Sequence, residues 1–194
     1  LLQTALTQNY NLSLTGGTDK IQSAVNLNYN NQEGTIINTY SQRYAVRANN
    51  TFQASERVKF GLNLSGSYTK GRVTGGLGGG RNIIGSSFLM DPQLKYQNDD
   101  GTYPVSFSQP GMFANANYYL VLRDRDDNTS TLRGIVNAFS EVGIIDNLKY
   151  KISLNADLSS DKNDTWVPSE ANGGMFSAPP NPAWGYYYNS NTTN

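Results

Sequence analysis

Val58-Lys59-Phe60-Gly61-Leu62-Asn63-Leu64-Ser65-Gly66-Ser67-Tyr68-Thr69 decides how the rest of the chain is read. Val58, Phe60, Leu62, Leu64 and Tyr68 fall on one face, and Lys59, Asn63, Ser65, Ser67 and Thr69 on the other. Successive side chains of a strand point to opposite faces, so strict alternation predicts a β-strand with one apolar side. Working outward, the same period recurs. Gln8 to Thr15 sets Tyr10, Leu12 and Leu14 against Asn9, Asn11 and Ser13, and Gln22 to Asn30 sets Val25, Leu27 and Tyr29 against Asn26 and Asn28. Arg43 to Gln53 carries Tyr44, Val46, Ala48 and Phe52 opposite Arg43, Arg47, Asn49 and Thr51. Leu148 to Leu158 alternates Tyr150, Ile152, Leu154 and Ala156 with Lys149, Lys151, Ser153, Asn155 and Asp157. Thr131 to Gly143 is less regular, because Ile135 and Phe139 fall opposite Leu132, Val136 and Val142; a strand is expected there and its facing is left open. These make six expected strands.

The connections alternate in length. Gly16 to Lys20, Ser55 to Arg57 and Ile144 to Asn147 are short and rich in Gly, Asp, Asn and Ser, as hairpin turns require. Asn31 to Gln42, Gly71 to Ser130 and Ser159 onward are long. An up-and-down meander with tight turns at one rim and elaborate loops at the other gives that asymmetry, which is characteristic of outer-membrane β-barrels. The expected organisation is therefore barrel strands over residues 1–158, with a long extracellular loop at 71–130, and a further extracellular loop segment at 159–194. Tyr10, Tyr29, Tyr44 and Tyr68 lie at the long-loop ends of their strands, and Phe52, Phe60 and Tyr150 at the tight-turn ends, all on the apolar face. Tyr44 to Phe52 spans eight residues, which at about 3.3 Å per residue and a tilt of about 40° gives roughly 20 Å of height. That approaches the band between the aromatic girdles of membrane barrels, and these seven residues are the expected lipid-interface girdle. The competing reading is a soluble sandwich in which Tyr and Phe are simply good strand formers.

Composition removes whole classes of function. The 194 residues contain no His and no Cys, which excludes the commonest general base, thiol nucleophiles and the usual zinc ligands. Fifteen basic and fifteen acidic side chains are scattered without a basic stripe, so nucleic acid is not an expected partner. No apolar run approaches the roughly 20 residues of a membrane-spanning helix. The first residues, Leu1-Leu2-Gln3-Thr4, show neither an initiator Met nor a signal pattern, so an excised or processed segment is expected.

Local motifs carry little chemistry. Gly75-Gly76-Leu77-Gly78-Gly79-Gly80-Arg81 lacks the ending of a phosphate loop and the dinucleotide spacing, and reads as a flexible loop. Asp124, Asp126 and Asn128 open like a calcium loop, yet no Gly follows and Ile135 stands where the bidentate Glu belongs. Asp99-Asp100-Gly101-Thr102 reads as a turn. No pair of carboxylates is set apart for glycosidase chemistry, and neither catalysis nor a cofactor or metal is expected. Trp166, Trp184, Tyr186, Tyr187 and Tyr188, among many Asn residues, suit contacts with sugar, peptide or a protein partner; packing of the loop on its own rim is the alternative.

Gln8-Asn9-Tyr10-Asn11-Leu12-Ser13-Leu14-Thr15-Gly16-Gly17 with Leu27-Asn28-Tyr29-Asn30-Asn31-Gln32-Glu33-Gly34-Thr35-Ile36 resembles the early barrel of SusC/RagA-type TonB-linked outer-membrane transporters. So do Arg43 to Asn49, Val58 to Ser65, Asp91-Pro92 through Tyr103, and Ile144 to Lys151. The resemblance covers most of Gln8 to Leu158. It implies an all-β, antiparallel up-and-down transmembrane β-barrel of which this chain supplies about six strands, within the plugged class of about 22 strands. It further implies a multi-pass protein of the outer membrane of a Gram-negative bacterium, in contact with outer-membrane lipid. The implied activity is energy-coupled import of an oligosaccharide or peptide, with a SusD-like lipoprotein over the mouth. Coupling to TonB would use a segment that, like the plug, is not among these residues. A passive outer-membrane porin shares every strand feature, and a soluble extracellular β-sandwich acting as a glycan-binding or adhesive module is the reading from another class.

Overall fold

The computed structural model describes residues 1–74, 76–77, 81–88, 90–108, 115–173 and 179–194. Strands β1 (Thr7–Gly17), β2 (Ile21–Glu33), β3 (Tyr40–Ser55) and β4 (Val58–Arg72) follow one another as hairpins. A long insertion then carries two short hairpins, β5 (Gly76–Leu77) with β6 (Arg81–Asn82) and β7 (Ser106–Phe107) with β8 (Asn115–Ala116). It also carries two helices, α1 (Ile83–Ser87) and α2 (Tyr118–Asp124). Strands β9 (Asp126–Ile145), β10 (Leu148–Val167) and β11 (Trp184–Thr193) complete the chain, with a 3-10 turn at Ser169–Ala171. One antiparallel sheet has the order β1-β2-β3-β4-β9-β10-β11, every strand beside its neighbour in sequence. That is the expected meander.

The sheet differs from the sequence reading in extent. Seven strands pair rather than six. β10 continues past Leu158 to Val167, and Trp184–Thr193, within the stretch read as loop, pairs along its length with β10. β9 begins at Asp126, inside the stretch read as loop, and the β2–β3 connection narrows to residues 34–39. Backbone pairing continues wherever a neighbouring strand supplies partners, whether or not the side chains still alternate in polarity.

The tight turns follow from their residues. The Thr18 hydroxyl accepts from the amides of Lys20 and Ile21, both at 3.3 Å, and closes the β1–β2 turn. Gly17 is required beside it, since a Cβ there would stand 2.2 Å from the Ile21 carbonyl oxygen. Gly101, in the expected Asp99–Thr102 turn, has φ of 86°, in the left-handed region that glycine adopts without strain.

Most of the buried residues lie in the insertion. Ile83, Ala116, Tyr118, Val121 and Leu122 form one cluster, with Ile36, Ile37 and Met90 against it. The insertion packs on the polar side of the sheet. There Asp127, Thr165 and Val167 are buried, while their neighbour Trp166, on the other side, is half exposed.

Candidate functional site

Register assigns each strand residue to a side. Tyr10 pairs with Tyr29, Tyr29 with Tyr44 and Tyr44 with Tyr68, so four tyrosines expected at one rim form a continuous row across four strands. The Tyr10 and Tyr29 ring centroids are 6.2 Å apart, and those of Tyr29 and Tyr44 are 4.9 Å apart. The row above them on the same side is polar throughout: Gln8, Asn31, Gln42, Lys70, Ser130 and Lys162 pair in succession. The rows below are mainly apolar, as in Leu14, Val25, Ala48, Leu64, Val136 and Ala156. Phe52 pairs with Phe60 near the tight turns, and Tyr150 pairs with Val142 one row further on. Leu12, Leu14, Val46, Leu62, Leu64, Ile152 and Leu154 all stay exposed, Leu154 at 71%. No other layer of the described residues covers this side. A soluble sheet buries such a face, since a wetted patch of this extent is costly in water; lipid removes that cost.

The opposite side is polar and bonded across strands. Asn63 Nδ2 donates to Asn137 at 3.0 Å and Asn137 Nδ2 to Asn155 at 2.5 Å, a ladder over three paired strands. Arg133 meets Asp157 at 2.9 Å, and Lys149 meets Glu141 at 3.4 Å. The open facing of β9 is settled by register: Leu132, Val136 and Val142 share the apolar side, and Ile135 and Phe139 the polar one. Phe139 fits there because its partner is Gly61, and Lys151 Nζ lies 4.4 Å from its ring centroid.

Above the sheet, α2 is fixed at both ends. Asn117, 1% exposed, caps it by accepting from the Tyr119 amide at 3.1 Å. Its amide group donates to the Tyr96 and Pro104 carbonyls at 2.7 and 2.9 Å. The carbonyls ending α2 accept from Asn38 and Arg72, so residues of the sheet rim hold the helix C-terminus, where a cation also suits the helix dipole. The insertion thereby gathers Tyr96, Tyr103 and Tyr119. The Tyr103 and Tyr119 rings stack at 5.2 Å and 11°, Tyr96 lies 5.1 Å from Tyr119, and the Arg123 guanidinium sits 4.9 Å over Tyr103. The Tyr119 phenol is raised above its ordinary value, first by its hydrogen bond with Tyr103. Arg123 is raised by its hydrogen bond with Asp124. Tyr96 and Tyr119 also line a groove of about 630 Å³ with Leu1, Leu2, Phe88 and Met90. The sequence reading missed this cluster, for its members are far apart along the chain.

The five terminal aromatics do not form one patch. Trp184, Tyr186 and Tyr188 pair with Val167, Thr165 and Asn163 on the polar side of the sheet, whereas Trp166 and Tyr187 lie on the apolar-face side. Trp184 is 5.8 Å from the guanidinium of Arg125, which pairs with Asp127 at 2.7 Å, and its indole N–H donates to Asn172 at 3.3 Å. Asp124, Asp126 and Asn128 do not make a calcium loop, because Asp126 and Asn128 are in β9 and Asp126 meets Arg72 at 3.3 Å. Among the described residues no three potential metal ligands of the His, Cys, Asp and Glu types gather. The glycine run at 75–81 lies mostly outside the described residues.

Comparison with known proteins agrees with this geometry. No family model matches the chain. TonB-dependent receptor P3 of Formosa agariphila is 30% identical over 152 residues, 75% of this chain. TonB-dependent receptor P26 of the same organism is 31% identical over 103 residues, 53% of this chain. The chain spans 15% and 10% of the lengths of these two relatives. Among solved structures, the RagAB peptide transporter superposes with a TM-score of 0.70 over 92% of this chain and 20% of its own, at 21% identity. The RagAB peptide importer in its open-open state gives 0.71. An uncovered apolar band, a polar opposite side, a seven-stranded meander and these likenesses converge: the chain is similar to a stretch of TonB-dependent receptors and folds as part of a transmembrane β-barrel of the kind that the RagAB structures show.

Proposed function

We propose that the protein containing this chain imports an oligosaccharide or a peptide across the outer membrane of a Gram-negative bacterium, driven through TonB and assisted by a SusD-like surface lipoprotein. The observation that carries this reading is the sheet itself. Its apolar side is bounded by a tyrosine row and then by a wholly polar row, while its other side carries an asparagine ladder and charged pairs. Such a wall separates lipid from a polar lumen. Tyr10, Tyr29, Tyr44 and Tyr68 then mark one lipid interface, and Phe52, Phe60 and Tyr150 the other. The peptide named for the RagAB relatives favours peptide as cargo, and their two-component name favours a lipoprotein partner.

In this reading the stretches at 71–130 and 159–194 face outward from the cell. Trp184, Tyr186 and Tyr188, with the cluster of Tyr96, Tyr103 and Tyr119, offer ring faces and amides to cargo or to the lipoprotein. The chain's part is a rigid wall and a set of contacts, with no covalent chemistry. Uptake by cells carrying the full-length receptor tests the proposal. Collapse of the proton gradient is expected to abolish it, whereas a passive porin continues to conduct. Replacing Trp184 and Tyr186 with Ala is expected to weaken uptake or lipoprotein association; no change in either sinks the assigned contacts.

A further inference from the structure

We propose that Arg43 and Arg47 make the inner face of β3 a track for acidic cargo, an extended peptide whose carboxylates, four residues apart, meet both guanidinium groups at once. The inference rests on the import reading above and narrows its cargo to a peptide carrying negative charge.

Of the seven arginines whose side chains are described, five, Arg57, Arg72, Arg123, Arg125 and Arg133, each have a carboxylate within 3.6 Å. Arg43 and Arg47 are the two without one among the described residues, and neither makes a side-chain hydrogen bond there. Both are exposed, on the same polar side of β3 as Asn49. Their paired neighbours are neutral: Asn30 and Thr69 flank Arg43, and Asn26 and Ser65 flank Arg47. No Asp or Glu stands on this side of β1 to β4. In their own rows the first carboxylates are Asp161 and Asp157 on β10, three strand spacings away, about 14 Å. Both are already engaged, Asp157 with Arg133 at 2.9 Å and Asp161 by the Thr131 hydroxyl at 2.6 Å. The sheet and its loops thus satisfy the other arginines and leave these two for a partner from the lumen.

Their spacing describes that partner. Four residues along one side of a strand separate Arg43 from Arg47 by about 13.5 Å. An extended peptide has the same rise per residue, so its own side chains four residues apart stand at that separation. Two of them ending in carboxylates reach both guanidinium groups together. A guanidinium takes a carboxylate through two parallel N–H bonds, which a neutral amide does not match. Charges of one sign on a pore wall also concentrate mobile groups of the opposite sign. A neutral cargo gains neither effect.

The test measures peptide uptake by cells carrying the full-length receptor. The probes are a labelled Gly/Ser peptide with two Glu four residues apart and its counterparts with Gln or Lys at both places. The native receptor is expected to take up the Glu peptide about tenfold faster than the Gln peptide. Arg43→Gln/Arg47→Gln is expected to bring the Glu peptide down to the Gln rate without changing the Gln rate. Arg43→Lys/Arg47→Lys, which keeps the charge but not the paired bonds, falls between, and Arg43→Glu/Arg47→Glu prefers the Lys peptide. Arg57→Gln, at a turn outside the lumen, behaves as the native receptor. Equal uptake of Glu and Gln peptides by the native receptor, or uptake of neither, overturns the proposal. So does an equal loss of both in Arg43→Gln/Arg47→Gln, which would assign the arginines to holding the plug. All rates are compared at equal amounts of receptor that shifts on heating, which keeps a folding defect from counting as lost selectivity. Uptake that persists after collapse of the proton gradient fails the import reading instead.

Discussion

Gly61 on β4 and Phe139 on β9 are direct partners on the polar side of the sheet, and a Cβ on Gly61 would stand 2.0 Å from Phe139 Cε1. The ring occupies the space that the glycine leaves empty and meets Lys151 on its exposed flank. A large apolar residue thus sits among amides and charges without breaking the strand. Gly61→Ala forces the ring aside or the strands apart, a cost of about 1–3 kcal/mol. The heat-induced gel shift of the full-length receptor is expected at lower temperature in Gly61→Ala, and Phe139→Ala in the same chain is expected to return part of the loss. Additive effects of the two substitutions would rule out the contact as the cause.

Leu64 and Asn63 are neighbours in β4 that face opposite sides, Leu64 in the apolar rows and Asn63 in the asparagine ladder. Leu64→Arg places a charge against lipid near mid-height, where it costs about 2–4 kcal/mol in membrane barrels. Asn63→Arg faces the polar side and pays no such penalty. Immunoblots of outer membranes are expected to show much less folded receptor for Leu64→Arg and near-normal amounts for Asn63→Arg. The reverse order would mean that the faces are assigned the wrong way round.

What the sequence disclosed depended on where polarity alternates. Tyr10 to Tyr68 and Leu148 to Leu158 were legible because one side must meet apolar surroundings and the other must not. Past Leu158 that contrast ends: Ser160, Lys162 and Asp164 face the same side as Leu158, so β10 runs on to Val167 with no period to betray it. Trp184 to Thr193 hides its strand for the same reason, with aromatic residues on both sides. The stacked Tyr103 and Tyr119 were out of reach because a turn, a hairpin and a buried Asn cap bring them together. Hydrophobic periodicity reports none of these.

Asn117 joins three segments of the insertion, capping α2 while bonding the Tyr96 and Pro104 carbonyls. Asn117→Ala leaves two carbonyls and a helix-end amide without that partner in a buried place, costing about 1–3 kcal/mol. The loss falls on the insertion, because none of these bonds reaches the seven-stranded sheet. Hydrogen exchange is expected to quicken in residues 94–104 and 117–124, with the heat-induced gel shift unchanged. Weakening of the gel shift itself would show that insertion and barrel unfold together.

Asp100 lies in the turn that Gly101 makes possible, and its carboxylate accepts from the Thr102 hydroxyl at 2.6 Å and the Thr102 amide at 2.9 Å. These bonds hold its carboxyl below the ordinary carboxylate range, the hydroxyl contributing first. A depressed folded value means that the turn's stabilisation is complete above the ordinary carboxylate range and is lost as the pH falls through the folded value. Exchange and protease cleavage at 97–103 are therefore expected to stay slow at neutral pH and to rise only in strong acid. Asp100→Asn removes the charge that the two bonds favour, so its cleavage is expected to be faster at neutral pH and nearly independent of pH. An acid-induced rise of equal size in Asp100→Asn would place the titrating group elsewhere.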